Sequence, residues 1–260
     1  MSNFRGEYGP WALVTGASSG MGAAFARQIA TRGLNVVLVA RREDRLLALS
    51  EELKRSASVQ TRVVSADLSR DDFIPRLAEA TDGLEVNLLV NNAGLGVTGE
   101  FLSNDLGAEL GMLHLNCRAP LLLTHHYGRM MRDRRHGGII FLASIVALVG
   151  NAAWSNYAAT KGHNLLFAEG LAEELRREGV DVLALCPGFV RTEFMKLTPF
   201  GKVMSMDPGA VVRIALHSLG RKRRVTAGLI NKAIVFSTRM QPRIMNTKIF
   251  RAVVRRVQRV

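Results

Sequence analysis

Residues 11–22 read WALVTGASSGMG, a short apolar run that passes directly into a glycine-rich turn. The run has the length and composition of a buried β-strand, and an amphipathic helical pattern begins at Gly20. Glycines at a strand-to-helix turn let the backbone bend sharply and bring the free N–H groups of the helix N-terminus close to a pyrophosphate. An ordinary glycine-rich turn would have the same spacing. The segment therefore predicts a dinucleotide phosphate loop, whose binding residues would be Gly16, Ser18, Ser19, Gly20, Met21 and Gly22.

On the C-terminal side of this turn, apolar runs of strand length alternate with amphipathic segments of helical length. Strands are predicted at 11–17, 35–40, 61–66, 87–93, 138–144 and 181–187, and helices at 20–32, 42–56, 70–82, 105–133 and 152–178. Continuous Val/Ile/Leu runs are typical of strands that are covered on both faces, and repeated strand–helix–strand units form parallel sheets. The sequence thus predicts a single-domain α/β protein with a doubly wound, mostly parallel sheet of the Rossmann type and helices on both faces.

The alternation changes after Pro187. Residues 193–206, EFMKLTPFGKVMSM, combine Gly and Pro with large apolar side chains, which favours a mobile flap. Asp207 and Pro208 are typical of a helix start, and a short last strand is expected at 224–227. We therefore divide the chain into a dinucleotide-binding and catalytic core at 1–192, a substrate flap with helix and final strand of the same domain at 193–228, and a basic C-terminal extension at 229–260.

Composition excludes several classes of protein. The chain has 260 residues, of which 48% are apolar, so it can bury a sizeable core and is neither disordered nor fibrous. Two distant cysteines suggest neither a disulfide framework nor a zinc site, and no histidine has partners spaced as metal ligands. The longest apolar run, 139–150, is shorter than a membrane span, and the N-terminus does not resemble a secretory signal. We expect a cytoplasmic protein without a bound metal.

The net charge of +13 is concentrated at one end of the chain. Residues 1–190 hold 19 Lys+Arg against 20 Asp+Glu, whereas residues 191–260 hold 16 against 2. Residues 243–260, RIMNTKIFRAVVRRVQRV, place apolar side chains at helical spacing among cations, which predicts a basic amphipathic helix. Such a helix could pack on the fold, pack on another subunit, or make peripheral contact with an anionic membrane. Binding to nucleic acid is disfavoured, because no aromatic stacking surface accompanies the charge.

Two residues of the fifth predicted helix have the chemistry of proton transfer. Tyr157 and Lys161 are four positions apart, so both side chains lie on one helical face. An ammonium group beside a phenol favours the phenolate and would lower the pKa of the phenol toward neutrality. Ser144, at the end of a predicted strand, could meet the phenol over a substrate carbonyl. Each residue also has a purely structural interpretation, as part of a half-buried helix face or as a hydroxyl that ends a strand.

The residues after the second predicted strand bear on the choice of cofactor. Folds that prefer NAD usually carry an acidic residue at this point, to accept hydrogen bonds from the ribose. This chain has Ala40 followed by Arg41 and Arg42. Guanidinium groups suit a 2′-phosphate, so the sequence predicts NADP(H) in preference to NAD(H). Alternatively, the two arginines only solvate the start of the next helix.

Taken together, the motifs resemble the short-chain dehydrogenase/reductase family over residues 10–192. They occur in the order TGASSGMG (15–22), Asp67, NNAG (91–94), Asn116, Ser144, YAATK (157–161) and PGFVRT (187–192). The resemblance implies that Tyr157 is the general acid in reduction and the base in oxidation, and that Lys161 lowers its pKa and binds the nicotinamide ribose. It also implies that Ser144 orients the substrate oxygen, and that Asn116 holds Lys161 and a water in a proton relay.

The resemblance further implies cofactor contacts along the chain. Asp67 and Leu68 would bind the adenine. The adenosine ribose would pack against Asn92, Ala93 and Gly94, and the nicotinamide amide would be placed by Pro187, Gly188, Val190 and Thr192.

We accordingly expect an NADP(H)-dependent oxidoreductase that interconverts a carbonyl and an alcohol. The apolar flap favours an apolar or lipid-like small-molecule substrate, and the family implies a homodimer or homotetramer. The alternatives are a non-catalytic dinucleotide-binding regulatory module, and a membrane-surface adaptor that uses the basic C-terminal segment.

Overall fold

The computed structural model describes residues 3–193, 205–240, 242, 244–248 and 251. The strands are β1 Trp11–Thr15, β2 Asn35–Ala40, β3 Thr61–Ser65, β4 Val86–Asn91, β5 Gly137–Leu142, β6 Val180–Cys186 and β7 Arg224–Thr226. The helices are α1 Phe4–Tyr8, α2 Gly20–Ala30, α3 Glu43–Ala57, α4 Phe73–Ala80, α5 Leu106–Leu113, α6 Ala119–Arg134, α7 Ser155–Leu175, α8 Pro208–Ser218 and α9 Leu229–Met240.

The seven strands form one sheet in the order β3-β2-β1-β4-β5-β6-β7, and every neighbouring pair is parallel. The strand order reverses between β1 and β4, which is the switch point where doubly wound sheets bind dinucleotides. The predicted fold class, a doubly wound parallel α/β sheet of the Rossmann type, is confirmed.

Helices cover both faces of this sheet because successive strand residues point to opposite sides. In β1, Ala12 and Val14 belong to one apolar cluster, and Trp11 and Leu13 belong to another. Side chains of α2, α3 and α8 complete the first cluster, whereas side chains of α4, α6 and α7 complete the second. All five residues of β1 are buried, so its sequence is continuously apolar instead of alternating.

The prediction of one continuous helix over 105–133 is wrong in the middle of that range. The structure has two helices, α5 and α6, joined by a π-helical turn at His114–Arg118. Pro120 has no N–H to donate to the carbonyl of Asn116, four residues earlier, so the regular α-helical pattern fails at this point. The turn matters for function because it contains Asn116.

The part of the chain after β6 adds to the same sheet. Strand β7 pairs with β6, and α8 packs against α2, where Nε2 of Gln28 donates to the carbonyl of Gly209 at 2.7 Å. Most of the predicted flap, residues 194–204, lies outside the described residues, as does the tail except 244–248 and 251. The division of the chain at 192 and 228, and the amphipathic helix at 243–260, therefore stay predictions. Within the described residues, no helix is long and apolar enough to cross a bilayer.

Candidate active site

A cleft runs along the carboxyl ends of the strands. Gly16 follows β1, Arg41 follows β2, and Asn92 follows β4. The cleft has a volume of about 510 Å³, which is within the range of small-molecule and cofactor sites. The predicted site residues that line it are Gly16, Ser18, Ser19, Gly20, Met21, Arg41, Arg42, Asp67, Leu68, Asn92, Ala93, Gly94, Ser144, Tyr157, Lys161, Pro187, Gly188, Val190 and Thr192.

The phosphate loop leaves no room for side chains at two of its glycines. Gly16 has a φ of +67°, in the left-handed region that favours glycine. A Cβ on Gly22 would lie 2.1 Å from the carbonyl oxygen of Gly16. Gly22 therefore lies behind the cleft wall, where its lack of a side chain lets α2 begin close to the loop. The resulting cradle, with the N-terminus of an eleven-residue helix, fits a pyrophosphate.

A buried hydrogen-bond network holds this loop to the end of β4. The hydroxyl of Thr15 donates to the carbonyl of Val90 at 3.1 Å and accepts from the N–H groups of Asn92 and Ala93 at 3.0 and 2.9 Å. The side-chain amide of Asn92 donates to the carbonyl of Thr15 at 2.8 Å. The resemblance assigned Asn92 to the adenosine ribose, whereas these contacts show that it also fixes the loop. The role of Thr15 was not predicted.

The two arginines after β2 differ in their surroundings. The guanidinium of Arg42 donates to the hydroxyl of Ser18 at 3.1 Å and to that of Ser19 at 2.8 Å, so it lies against the phosphate loop. The side chain of Arg41 is 70% exposed and lies 3.9 Å from a carboxylate oxygen of Asp67. Both arginines line the cleft.

Asp67 is oriented by the turn that follows β3. Its Oδ1 accepts hydrogen bonds from the N–H and the hydroxyl of Ser69 at 3.0 and 2.7 Å. Desolvation raises the pKa of Asp67, but the hydrogen bonds from Ser69 and the charges of Arg41 and Arg70 outweigh it, so the net pKa is lowered. The carboxylate is therefore ionised and available as an acceptor at the cleft wall.

Lys161 and Tyr157 lie on the same face of α7, as their spacing predicts. The ammonium of Lys161 donates to the carbonyl of Leu142 at 2.8 Å and lies 5.9 Å from the centre of the Tyr157 ring. Burial lowers the pKa of Lys161 to about 8, because an interior of low dielectric disfavours the charged form.

The expected lowering of the Tyr157 pKa does not occur in the protein itself. Burial raises the pKa of Tyr157 above its ordinary value. Desolvation of the phenolate causes this shift, and its direction is opposite to the one that the sequence predicted. The tyrosine carries its proton at neutral pH, which is the form that a proton donor needs.

Asn116 lies behind the cleft and acts on α7 through Thr160. Its side-chain N–H groups donate to the carbonyl of Leu95 at 2.8 Å and to the hydroxyl of Thr160 at 3.0 Å, and its Oδ1 accepts from the N–H of Leu95. Asn116 is fully buried. A Cβ on Gly94 would lie 3.1 Å from this Oδ1 and 3.5 Å from Nζ of Lys161, so Asn116 and Lys161 both face Gly94.

Ser144 is a buried residue of the cleft wall that is fixed by the turn that follows β5. Its hydroxyl accepts from the N–H of Val146 at 3.3 Å and donates to the carbonyl of Pro187 at 3.4 Å. The hydroxyl therefore caps a short 3-10 turn, Ile145–Leu148, of which Ile145 and Val146 continue the cleft wall. This contact links the ends of β5 and β6.

Sequence reasoning missed most of the apolar wall and one acid. The missed wall residues are Leu95, Leu115, Ile145, Val146, Trp154, Phe189 and Ile234. Glu193 also lines the cleft, where it contacts Arg42 and Arg45. No local pattern could reveal these contacts, because Glu193 is far from both arginines in sequence. Across the described ranges, no group of three or more His, Cys, Asp or Glu is arranged to hold a metal ion.

Comparisons with known proteins point in one direction. The model of the family described as short chain dehydrogenase matches residues 10–199. A 7β-hydroxysteroid dehydrogenase of Clostridium sardiniense is 32% identical over 234 residues, covering 88% of this chain and 90% of that protein. A solved structure from a study of 7β-hydroxysteroid dehydrogenase stereoselectivity superposes with a TM-score of 0.90 at 30% identity, covering 95% of this chain and 99% of that one. A short-chain dehydrogenase from Sphingobium yanoikuyae in complex with NADPH superposes with a TM-score of 0.76 at 29% identity, covering 89% and 93%.

Proposed function

The chain belongs to the short-chain dehydrogenase family of oxidoreductases, and we propose that it interconverts a carbonyl and an alcohol with NADP(H) as cofactor. The observation that carries the proposal is the position of Tyr157, Lys161 and Ser144 along one cleft with the phosphate loop and Arg42. In this arrangement the groups that handle protons lie at one end, and the groups that bind phosphate lie at the other.

The bound cofactor supplies the hydride, and the protein supplies binding, orientation and the proton. Tyr157, which holds its proton at neutral pH, donates it to the substrate oxygen as the alcohol forms. Ser144 orients that oxygen through its hydroxyl. Lys161 places a positive charge beside the phenol, and this charge opposes the cost of the negative charge that develops when the proton leaves.

The preference for NADP(H) rests on the cations at the adenine end. Arg41 and Arg42 follow β2 where an acidic residue would favour NAD, and Arg42 contacts Ser18 in the loop. Guanidinium groups form charge-assisted hydrogen bonds with a phosphate, whereas a carboxylate would repel it. The family member from Sphingobium yanoikuyae, whose structure contains NADPH, supports this choice of cofactor.

We propose an apolar, ring-containing alcohol or ketone as substrate. The wall near Ser144 and Tyr157 is formed by Ile145, Val146 and Trp154, and such a surface gains free energy by desolvating an apolar molecule. The similarity to a hydroxysteroid dehydrogenase over most of the chain supports the same class of substrate.

Replacing Tyr157 with Phe tests the proposed chemistry. We expect the turnover of a bulky ketone to fall about 10²–10⁴-fold, while the affinity for NADPH stays nearly unchanged. Tyr127→Phe is a matched control, because Tyr127 is a buried tyrosine that contacts Thr81 and does not belong to the cleft wall. Steady-state rates and NADPH fluorescence titrations give the two readouts. A rate close to that of the unaltered protein in Tyr157→Phe would contradict the assignment.

Replacing Arg41 with Asp tests the cofactor preference. The ratio of kcat/KM for NADPH to that for NADH should fall about tenfold or more, because a carboxylate repels the 2′-phosphate and accepts from a ribose hydroxyl. Arg62→Asp, an equal charge reversal at an exposed site on β3, should leave the ratio unchanged. An unchanged ratio in Arg41→Asp would mean that Arg41 only solvates the start of α3.

We also propose that the chain forms a homodimer or homotetramer through α5, α6 and α7. Exposed leucines on these helices support the proposal: Leu106, Leu110, Leu113, Leu121 and Leu166. Large exposed apolar patches are typical of interfaces. Sedimentation velocity of the full chain tests it: Leu110→Lys and Leu166→Lys should each shift the population toward monomer, and a monomeric unaltered protein would refute it.

A further inference from the structure

Two arginines, Arg42 and Arg45, share one carboxylate at the edge of the cleft. Oε2 of Glu193 accepts from Nη1 of Arg42 at 2.9 Å, and Oε1 accepts from Nη1 of Arg45 at 2.6 Å. The carboxylate thus uses one oxygen for each guanidinium. All three side chains are between 40% and 47% exposed, so the cluster lies at the rim of the cleft, in contact with solvent.

This carboxylate occupies the cationic site that the proposed cofactor needs. Arg42 also donates to Ser18 and Ser19 in the phosphate loop, and Glu193 lines the same cleft as that loop. Glu193 lies one residue after Thr192, whose Cγ2 would be 3.0 Å from a Cβ on Gly20. The acid is therefore carried to the arginines by the segment after β6 that packs on the phosphate loop.

We propose that Glu193 is a specificity-determining residue that competes with the 2′-phosphate of NADP(H) for Arg42 and Arg45. NADP(H) then binds by exchanging an internal carboxylate for its own phosphate, whereas NAD(H) binds without that exchange. The inference rests on the proposed use of NADP(H).

The charges of Glu193 and the phosphate determine the direction and the size of the expected change in affinity for the 2′-phosphate. Hydrogen bonds from Arg45 and Arg42 lower the pKa of Glu193 to about 2, so the side chain is a carboxylate throughout the neutral range. A phosphate monoester carries a charge of about −1.5 to −2 at pH 7. If the displaced carboxylate stays about 4 Å from the phosphate in water, each pair of like unit charges weakens binding about fivefold, and a phosphate charge of about −1.5 weakens it about tenfold. Removing the charge of Glu193 should therefore tighten binding of the 2′-phosphate about tenfold.

The opposite interpretation makes the opposite prediction. If Glu193 only holds Arg42 in the orientation that a phosphate requires, its loss would free the guanidinium and weaken phosphate binding. The two interpretations are separated by the direction of one change in affinity.

The test measures binding of adenosine 2′,5′-bisphosphate and of 5′-AMP to the full chain by calorimetry. Glu193→Gln should bind the bisphosphate about tenfold more tightly than the unaltered protein, with less than a twofold change for 5′-AMP. Glu52→Gln is the matched control, because Glu52 is similarly exposed and is bound by Arg27 through two hydrogen bonds of 2.7 Å outside the cleft wall. This control should leave both affinities unchanged, although it alters the net charge equally.

An unchanged or weaker affinity of Glu193→Gln for the bisphosphate would overturn the inference. A tightening of equal size in Glu52→Gln would also overturn it, since net charge alone would then explain the result. A different result would contradict the proposed preference for NADP(H). The unaltered protein would then bind the bisphosphate no better than 5′-AMP. Preference in the unaltered protein without a change in Glu193→Gln would leave the cofactor assignment intact and remove the role of Glu193.

Discussion

The buried ammonium of Lys161 should reduce the stability of the protein at neutral pH. Burial lowers its pKa from 10.5 to about 8, and the side chain is only 4% exposed. Each unit of pKa shift corresponds to about 1.4 kcal/mol, so folding with a charged Lys161 costs about 3 kcal/mol relative to a lysine in water. Lys161→Met removes this cost, and it also removes the hydrogen bond to the carbonyl of Leu142.

The cost of burying the Lys161 charge can be separated from the loss of its hydrogen bond to Leu142, because only the first of these depends on pH. The unfolded state holds its proton up to 10.5, whereas the folded state releases it near 8, so unfolding takes up a proton between these values. The stability of the unaltered protein therefore rises with pH in this window relative to Lys161→Met, by about 2 kcal/mol between pH 7 and pH 9.5. Burial raises the pKa of Cys117 to about 11 and that of Cys186 to about 12, and because both proteins carry these thiols, their contribution cancels in the difference.

Urea unfolding at the two pH values measures this difference directly. The free energy of unfolding of Lys161→Met minus that of the unaltered protein should decrease by about 2 kcal/mol between pH 7 and pH 9.5. Lys54→Met, at an exposed position on α3, should show a difference that stays constant. If the difference for Lys161→Met is also constant, the ammonium is not desolvated and the reasoning about the site's electrostatics is wrong.

Two further predictions concern the phosphate loop. Gly22→Ala would place a Cβ 2.1 Å from the carbonyl oxygen of Gly16, so the loop must move by about 1 Å, and NADPH affinity should fall about 100-fold in a fluorescence titration. Gly170→Ala, where no atom lies within 4 Å of the new Cβ, should bind NADPH normally and be slightly more stable, and equal losses in both variants would contradict the steric argument. Thr15→Val leaves the buried N–H groups of Asn92 and Ala93 without their acceptor, which should cost about 2–4 kcal/mol in urea unfolding, whereas Thr15→Ser should restore most of it. A Thr15→Val variant as stable as the unaltered protein would show that water replaces the hydroxyl.

Five strands, β1, β2, β4, β5 and β6, could be predicted from sequence because nearly all of their residues are buried, so that both faces are covered. In β1 and β4 every residue is buried, so the apolar runs are uninterrupted and mark the strands without any knowledge of their partners. The glycines of the phosphate loop were equally visible, since Gly16 and Gly22 have local backbone reasons to lack side chains. A single sequence therefore reveals those features whose cause lies in neighbouring residues of the chain.

The features that could not be predicted depend on contacts between distant segments. The contact of Glu193 with Arg42 joins positions 151 residues apart, and neither residue has a pattern that points to the other. The π-helical turn at His114–Arg118 had a visible cause in Pro120, but an uninterrupted amphipathic pattern concealed it. The pKa of Tyr157 depends on how deeply the phenol is buried, which the spacing to Lys161 does not indicate.

Burial acts on the two proton-handling groups in the same direction, and this constrains the role of each one. It raises the pKa of Tyr157 and lowers that of Lys161, so both changes oppose charge at the chemical end of the cleft. A phenol that resists ionisation is a competent donor only if its anion is stabilised when the proton leaves, and Lys161 is the cation that lies near its ring. Because the pKa of Lys161 is about 8, this assistance should decline as the pH rises through 8. The ammonium thus contributes to proton transfer only in the pH range in which it also destabilises the fold.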